Sequence, residues 1–148
     1  MAFNETNKDK RRADRSAAGL QVELVLFDNS EENILAGPSA AFIRDISRYG
    51  ASLILSRIWV NNHHLFYESY ETSSLLYLEK GGPDASRTLS IQVQPKWYRL
   101  EADEEGHFFC IGVEFIKAKR ADDISQLRKM AKAFVSPEKG WLSSIFST

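Results

Sequence analysis

Apolar and polar residues alternate with a period of two in several separated stretches of this chain. Leu20, Val22, Leu24 and Leu26 are interleaved with Gln21 and Glu23, which predicts a strand with one buried face. Residues 28–33 (DNSEEN) are turn chemistry and are expected to close a hairpin. A second strand is expected over residues 39–46, entered after Gly37-Pro38, and a third over 51–55, after Gly50. Residues 57–72 hold Ile58, Trp59, Leu65, Phe66, Tyr67 and Tyr70 at spacings that fit neither period. They read as a long connection with some helix or irregular strand. Residues 75–78 (LLYL) predict a short strand ended by Gly81, Gly82 and Pro83. Leu89, Ile91 and Val93 alternate with Ser90, Gln92 and Gln94, in a strand that Pro95 is expected to interrupt. The clearest strand is 108–116, with Phe109, Ile111, Val113 and Phe115 on one face.

The period then changes. Ile124, Leu127, Ala131 and Phe134 recur at helical spacing behind Asp122 and Asp123, which are expected to cap the helix, and Pro137 follows it. Six or so strands and one late helix predict an all-β domain with an appended helix, a small antiparallel barrel. The chain divides into a basic arm (1–19), a barrel with its C-terminal helix (20–135) and a C-terminal tail (136–148). That tail carries Trp141, Leu142, Ile145 and Phe146.

Length and composition agree with one domain: 148 residues, 43% hydrophobic and 26% charged. No stretch approaches the roughly 18 apolar residues of a bilayer span, so no membrane insertion is expected. The first fifteen residues have no apolar segment, so no secretory leader is expected, and the lone Cys110 fits a reducing cytosol. A cytoplasmic location is the expectation.

Charge changes the picture more. The total is −1, but residues 8–15 (KDKRRADR) hold five cations and two anions, a net of +3 that leaves −4 elsewhere. A basic run of this kind is commonly a solvated tail; it can also be an arm that orders on an anion. A near-neutral total argues against a long nucleic-acid polymer as partner.

Catalytic patterns are scarce. His63 and His64 are adjacent and His107 stands apart, without the spacing of a zinc site. Cys110, between Phe109 and Ile111, reads as a small core hydrophobe. Gly81-Gly82 lacks the Lys-Ser/Thr of a phosphate-binding loop, and nothing marks a nucleophile elbow. The chain is not expected to be an enzyme, and no metal or cofactor is expected.

Two patterns remain: Arg11-x-x-x-Arg15 in the arm and Asp45-x-Ser47-x-x-Gly50 after the second expected strand. The arginine spacing alone says little, because Arg44 and Arg48 repeat it. The second is more discriminating: Asp28-x-Ser30 and Asp123-x-Ser125 begin it, yet only residues 45–50 reach the glycine. In this order and these elements, the pair resembles the signature of the PilZ domain. Residues 111–115 (IGVEF) look like that family's closing strand and 122–127 (DDISQL) like the start of its C-terminal helix, so the resemblance spans about residues 10–135. It implies a six-stranded antiparallel PilZ-type β-barrel plus C-terminal α-helix that binds the bacterial second messenger cyclic di-GMP.

The residue chemistry suits such a ligand. Arginine can fork onto guanine O6 and N7, grip phosphate or stack on a base. Arg11 and Arg15 are four apart, a span of at most roughly 13 Å. On one strand, Asp45 and Ser47 would project from the same face, the carboxylate accepting from a guanine edge. Gly50 would permit a turn and a close approach. A lone Asp-x-Ser would ordinarily only cap a β-turn. The resemblance further implies a guanine contact at Trp97, expected just after the fifth strand, though a rim tryptophan of the barrel is also open there. It implies, too, a use for Lys10 and Arg12 if two intercalated ligands bind. Ala13 and Asp14 depart from the bulkier residues common between the arginines. The implied function is a receptor that reshapes its arm and regulates a protein partner. The alternative is a ligand-blind adaptor of the same fold.

Overall fold

The computed structural model describes residues 19–71, 74–82 and 87–135. Strands β1 (Gln21–Phe27), β2 (Ile34–Ile46) and β3 (Gly50–Leu55) come first. A short hairpin of β4 (Trp59–Val60) and β5 (His63–His64) then leads into helix α1 (Leu65–Glu71). Strands β6 (Leu75–Gly81), β7 (Thr88–Asp103) and β8 (Gly106–Ala118) follow, and helix α2 (Asp123–Val135) ends the described part. Six strands form a closed barrel in the order β1-β2-β3-β8-β7-β6, every pairing antiparallel. Closure leaves no open sheet edge among these strands. The expected six-stranded antiparallel barrel with a C-terminal helix is the architecture found.

The alternation read from the sequence is the cause of the core. Val22, Leu24 and Leu26 of β1 turn inward with Leu53, Leu55, Leu76, Leu78, Leu89, Ile91 and Ile111. All are essentially buried. Leu127 and Ala131 of α2 join the same cluster, with Ile124 packed against it. The side chain of Phe134 and all of residues 136–148, including Pro137 and the aromatic tail, lie outside the described residues.

The strands depart from expectation in two places, both at residues that cannot join a regular ladder. β2 begins at Ile34, five residues early, and runs through Gly37 (φ 96°) and Pro38. The register with β1 shifts there, between Leu24 and Leu26. β7 does not stop at Pro95 but continues to Asp103. A proline has no N–H to give, and this one sits where the β7–β8 register slips between Pro95 and Trp97. A bulge is the place in a strand where a missing donor costs least.

The ambiguous middle resolves into the β4–β5 hairpin and α1. Asn61 (φ 51°) and Asn62 (φ 67°) form its two-residue turn, the conformation in which asparagine is well tolerated. The insert packs inward through Ile58, Val60, Leu65 and Phe66, which join the barrel cluster. His64 stands at the N-cap of α1, its Nδ1 accepting from the Tyr67 amide at 3.1 Å. Burial pushes the pKa of this imidazole down, and the nearby Glu68 carboxylate only partly opposes it.

At α2 the acids act differently from the caps expected. The Asp122 carbonyl accepts the first helical bond, from Gln126 N–H at 2.9 Å. The side chains of Asp122 and Asp123 both bind Arg87, at 2.5 and 2.6 Å from its Nη2. Hydrogen bonding from Arg87 holds the Asp122 carboxyl below its ordinary pKa. Asp123, with 0% exposure, also accepts from Ser90 N–H (3.3 Å) and Arg120 N–H (3.1 Å). This carboxylate therefore ties the helix to β7.

Two outcomes follow. Asp123→Ala strands buried amides and should lower unfolding free energy by about 1–3 kcal/mol, measured by urea denaturation. For His64, the folded state resists a proton that the unfolded chain accepts near pH 6.5. Stability should therefore be full above that pH and fall as the pH drops below it. His64→Asn keeps a capping side chain and should abolish this slope between pH 6.5 and 5, whereas an unchanged slope would assign it to another group.

Candidate functional site

Cross-strand register builds a row on the outer face of the barrel. Asp45 of β2 pairs with Ser52 of β3, Ser52 with Gly112 of β8, and Gly112 with Trp97 of β7. Four strands thus bring an acid, a hydroxyl, a glycine and an indole into one line across roughly 14 Å, at about 4.8 Å per strand. The two central residues are small, so the line is a trough. Asp45, Ser47, Gly50, Ser52, Lys96, Trp97 and Gly112 line this depression of about 250 Å³.

Gly112 is required by the tryptophan. A Cβ at position 112 would lie 2.2 Å from Trp97 Cε2, so only glycine lets the indole lie across β8. The ring remains 39% exposed, and the Arg99 guanidinium sits 4.8 Å from its centroid, a cation–π distance. Arg99 Nε is itself held by Glu101 at 2.9 Å. Glu101 also accepts from Arg44 Nη1 at 3.4 Å. One carboxylate thus fixes two arginines beside the trough. Burial works against the Arg44 charge, but its contacts with Cys110 and Glu101 outweigh this and its pKa rises.

Cys110 is a fully buried small hydrophobe, as expected, but it stands outside the main core cluster. It faces outward, buried, with Arg44 Nη1 3.5 Å from its sulfur. The parity is simple: Ile111 faces in, so its neighbour faces out. Burial pushes the Cys110 thiol pKa up, and the Arg44 contact only partly offsets it. A protonated thiol is a poor nucleophile.

Of the residues singled out in the sequence, Asp45, Ser47, Gly50 and Trp97 all reach the trough, by routes that differ from those expected. Asp45 is exposed, and its Oδ2 accepts from Ser52 Oγ at 2.8 Å. Ser47 lies just beyond the end of β2, so it does not share a strand face with Asp45. Its Oγ accepts from Tyr49 N–H at 3.1 Å, and its own N–H donates to the Gly50 carbonyl at 2.8 Å. It therefore serves the β-turn as well as the trough. Gly50 is needed for a close approach within the barrel, since a Cβ there would meet the Val113 carbonyl of β8 at 2.2 Å. Trp97 lies inside β7, not after it. Lys10, Arg11, Arg12 and Arg15 lie outside the described residues.

Ser52, Gly112, Lys96 and Arg99 were not singled out. Ser52 was readable: a turn closed over residues 47–50 pairs 46 with 51 and 45 with 52. Gly112 and Trp97 required the β7–β8 register, which the Pro95 slip conceals.

Among the described residues no group of three His, Cys, Asp or Glu side chains can hold a metal ion. No helix among them is long and apolar enough to cross a membrane.

No protein-family model matches the chain. No curated protein matches it. Two solved structures are similar in part. MrkH of K. pneumonia in its apo state aligns with a TM-score of 0.44 at 17% identity, over 79% of this chain and 48% of that one. PlzA of Borreliella burgdorferi, solved in complex with c-di-GMP, aligns with a TM-score of 0.43 at 10% identity, over 93% of this chain and 58% of that one. The chain thus spans about half the length of these solved chains.

The trough makes its own prediction. Gly112→Ala should push the Trp97 ring off β8, red-shifting its share of the emission relative to a Trp97→Phe control. Because the half-exposed ring can swing outward, the stability cost should sit near the low end for overpacking, about 1 kcal/mol.

Proposed function

We propose that this chain is a PilZ-type receptor for cyclic di-GMP, non-enzymatic and cytoplasmic. Its ligand would bind between the Asp45–Trp97 trough and the arginines of the arm. The observation that carries the reading is the row itself. The acid of the Asp45-x-Ser47-x-x-Gly50 motif and the indole of Trp97 stand at opposite ends of a trough with a small-residue floor. A carboxylate of this kind can accept from the N1–H and amino group of guanine, while the exposed part of the indole offers an aromatic surface to a base.

The position of the chain entering β1 supports a role for the arm. The Leu20 carbonyl accepts from Ile43 N–H at 2.9 Å. A Cβ on Gly19 would meet the Ile43 carbonyl at 2.4 Å. Residue 19 is therefore held against β2, two residues from Asp45. Arg15 is at most about 14 Å of extended chain from that point and Arg11 about 28 Å, so both are within reach of the trough. Binding would order the arm across the outer face and present a changed surface to a downstream protein partner. The free energy of that change comes only from contacts made in the bound state.

A second reading, the ligand-blind adaptor, is favoured by one feature. Trp59, Tyr67 and Tyr70 are all about half-exposed or more. They are linked through His64 and Phe66 into one aromatic surface on the β4–α1 insert.

Calorimetric titration with cyclic di-GMP separates the two. The receptor reading expects saturable binding. Arg11→Ala, Arg15→Ala and Asp45→Ala should each weaken it by about tenfold or more, the loss of a charge-assisted hydrogen bond. Thermal unfolding should be unchanged in the arginine variants and slightly lowered in Asp45→Ala, which also loses the Ser52 hydrogen bond. The stoichiometry distinguishes one ligand from an intercalated pair. No heat with the wild-type chain would leave the adaptor reading.

A further inference from the structure

A second hollow adjoins the trough. It is a groove of about 500 Å³ between β2 and α2, with Leu20, Ile43, Ile46 and Ala131 among its lining residues. Its charged rim holds Arg44, Arg128, Lys129 and Lys132, with Asp45 as the one acid. Asp45 therefore lines both hollows. Pockets for drug-sized ligands measure roughly 300–1,000 Å³. The trough, at about 250 Å³, accommodates part of such a molecule; trough and groove together accommodate the whole.

The helix cations Arg128, Lys129 and Lys132 lack ion-pair partners among the described residues. Positions 128 and 132 are four apart and 129 and 132 three apart, so the three charges share one side of α2 and repel one another. Lys132, in the last turn, gains from the helix dipole. Arg128 and Lys129 lie too far from that end to do so. Residues 1–18 carry five cations against three anions, so the arm does not complement the groove either. A bound anion would neutralise the groove cations.

Building on the receptor reading above, we propose that this groove is the other half of the ligand site. Arg128, Lys129 and Lys132 take the phosphate charge of the cyclic dinucleotide whose base meets the Asp45–Trp97 trough, and the groove's apolar floor meets its uncharged faces.

Calorimetric titration of cyclic di-GMP into the full chain at several salt concentrations tests this. The variant Arg128→Gln/Lys129→Gln/Lys132→Gln retains strong helix formers. It should weaken binding by about tenfold or more and flatten the dependence of log Kd on log salt, as expected when phosphate-neutralising cations are removed. Lys129→Gln alone should show a smaller change in the same direction, which keeps the test valid if the triple variant folds poorly. Trp97→Ala should weaken binding with the wild-type salt slope retained. Wild-type affinity and slope in the triple and single variants would overturn the groove assignment while leaving the receptor intact. Absence of wild-type binding would overturn the receptor reading, and the groove assignment with it.

Discussion

The register between β7 and β8 sets the geometry of this molecule. These two long strands form one hairpin whose outer edges pair with β6 and β3, so any slip there would be passed to both sides of the barrel. Two slips occur in this pairing, between Gln92 and Val93 and between Pro95 and Trp97, and the second shapes the trough. It absorbs a residue that cannot donate to the ladder, and beyond it Trp97 stands opposite Gly112. The indole then has a bare backbone to lie across. A regular strand through Pro95 would change the parity and turn the tryptophan toward the barrel interior.

That register also explains how separate parts of the chain share one surface. Asp45 enters through the β2–β3 hairpin, Gly112 through β3–β8 pairing and Trp97 through β7–β8 pairing. Glu101 steadies the result by binding Arg44 and Arg99 together. The helix is fixed to the same framework by a different contact, the buried Asp123 carboxylate on Arg87, Ser90 and Arg120. Because β2 belongs to the barrel and α2 is anchored to it, the groove between them is a hollow of the fold itself, lined by Arg128, Lys129 and Lys132.

The strands that were legible are those whose large apolar residues recur at every second position. Leu20 to Leu26, Leu89 to Val93 and the Phe109 to Phe115 alternation all state their own parity. The insert at residues 57–71 was not legible. Its apolar residues serve a two-residue turn, a capped helix and a core contact in quick succession, so no single period survives. Cys110 is buried as its small apolar character implies, but parity places it on the outward side beneath Arg44, which its neighbours in sequence did not show. Asp122 and Asp123 looked like caps because they precede a helix. Only the fold could bring Arg87, thirty-five residues earlier, against them.

The sequence by itself determined the class of fold, the order of its elements and the chemistry of the Asp45-x-Ser47-x-x-Gly50 segment, since these depend on local periodicity, turn residues and side-chain type. Tertiary structure alone decided that Ser52 and Gly112 floor a trough between Asp45 and Trp97. It also decided that Arg128, Lys129 and Lys132 overlook the same acid from the other side. Both are matters of register and packing between segments tens of residues apart. A period of two fixes which way a side chain points, but not which side chain on the next strand it will face.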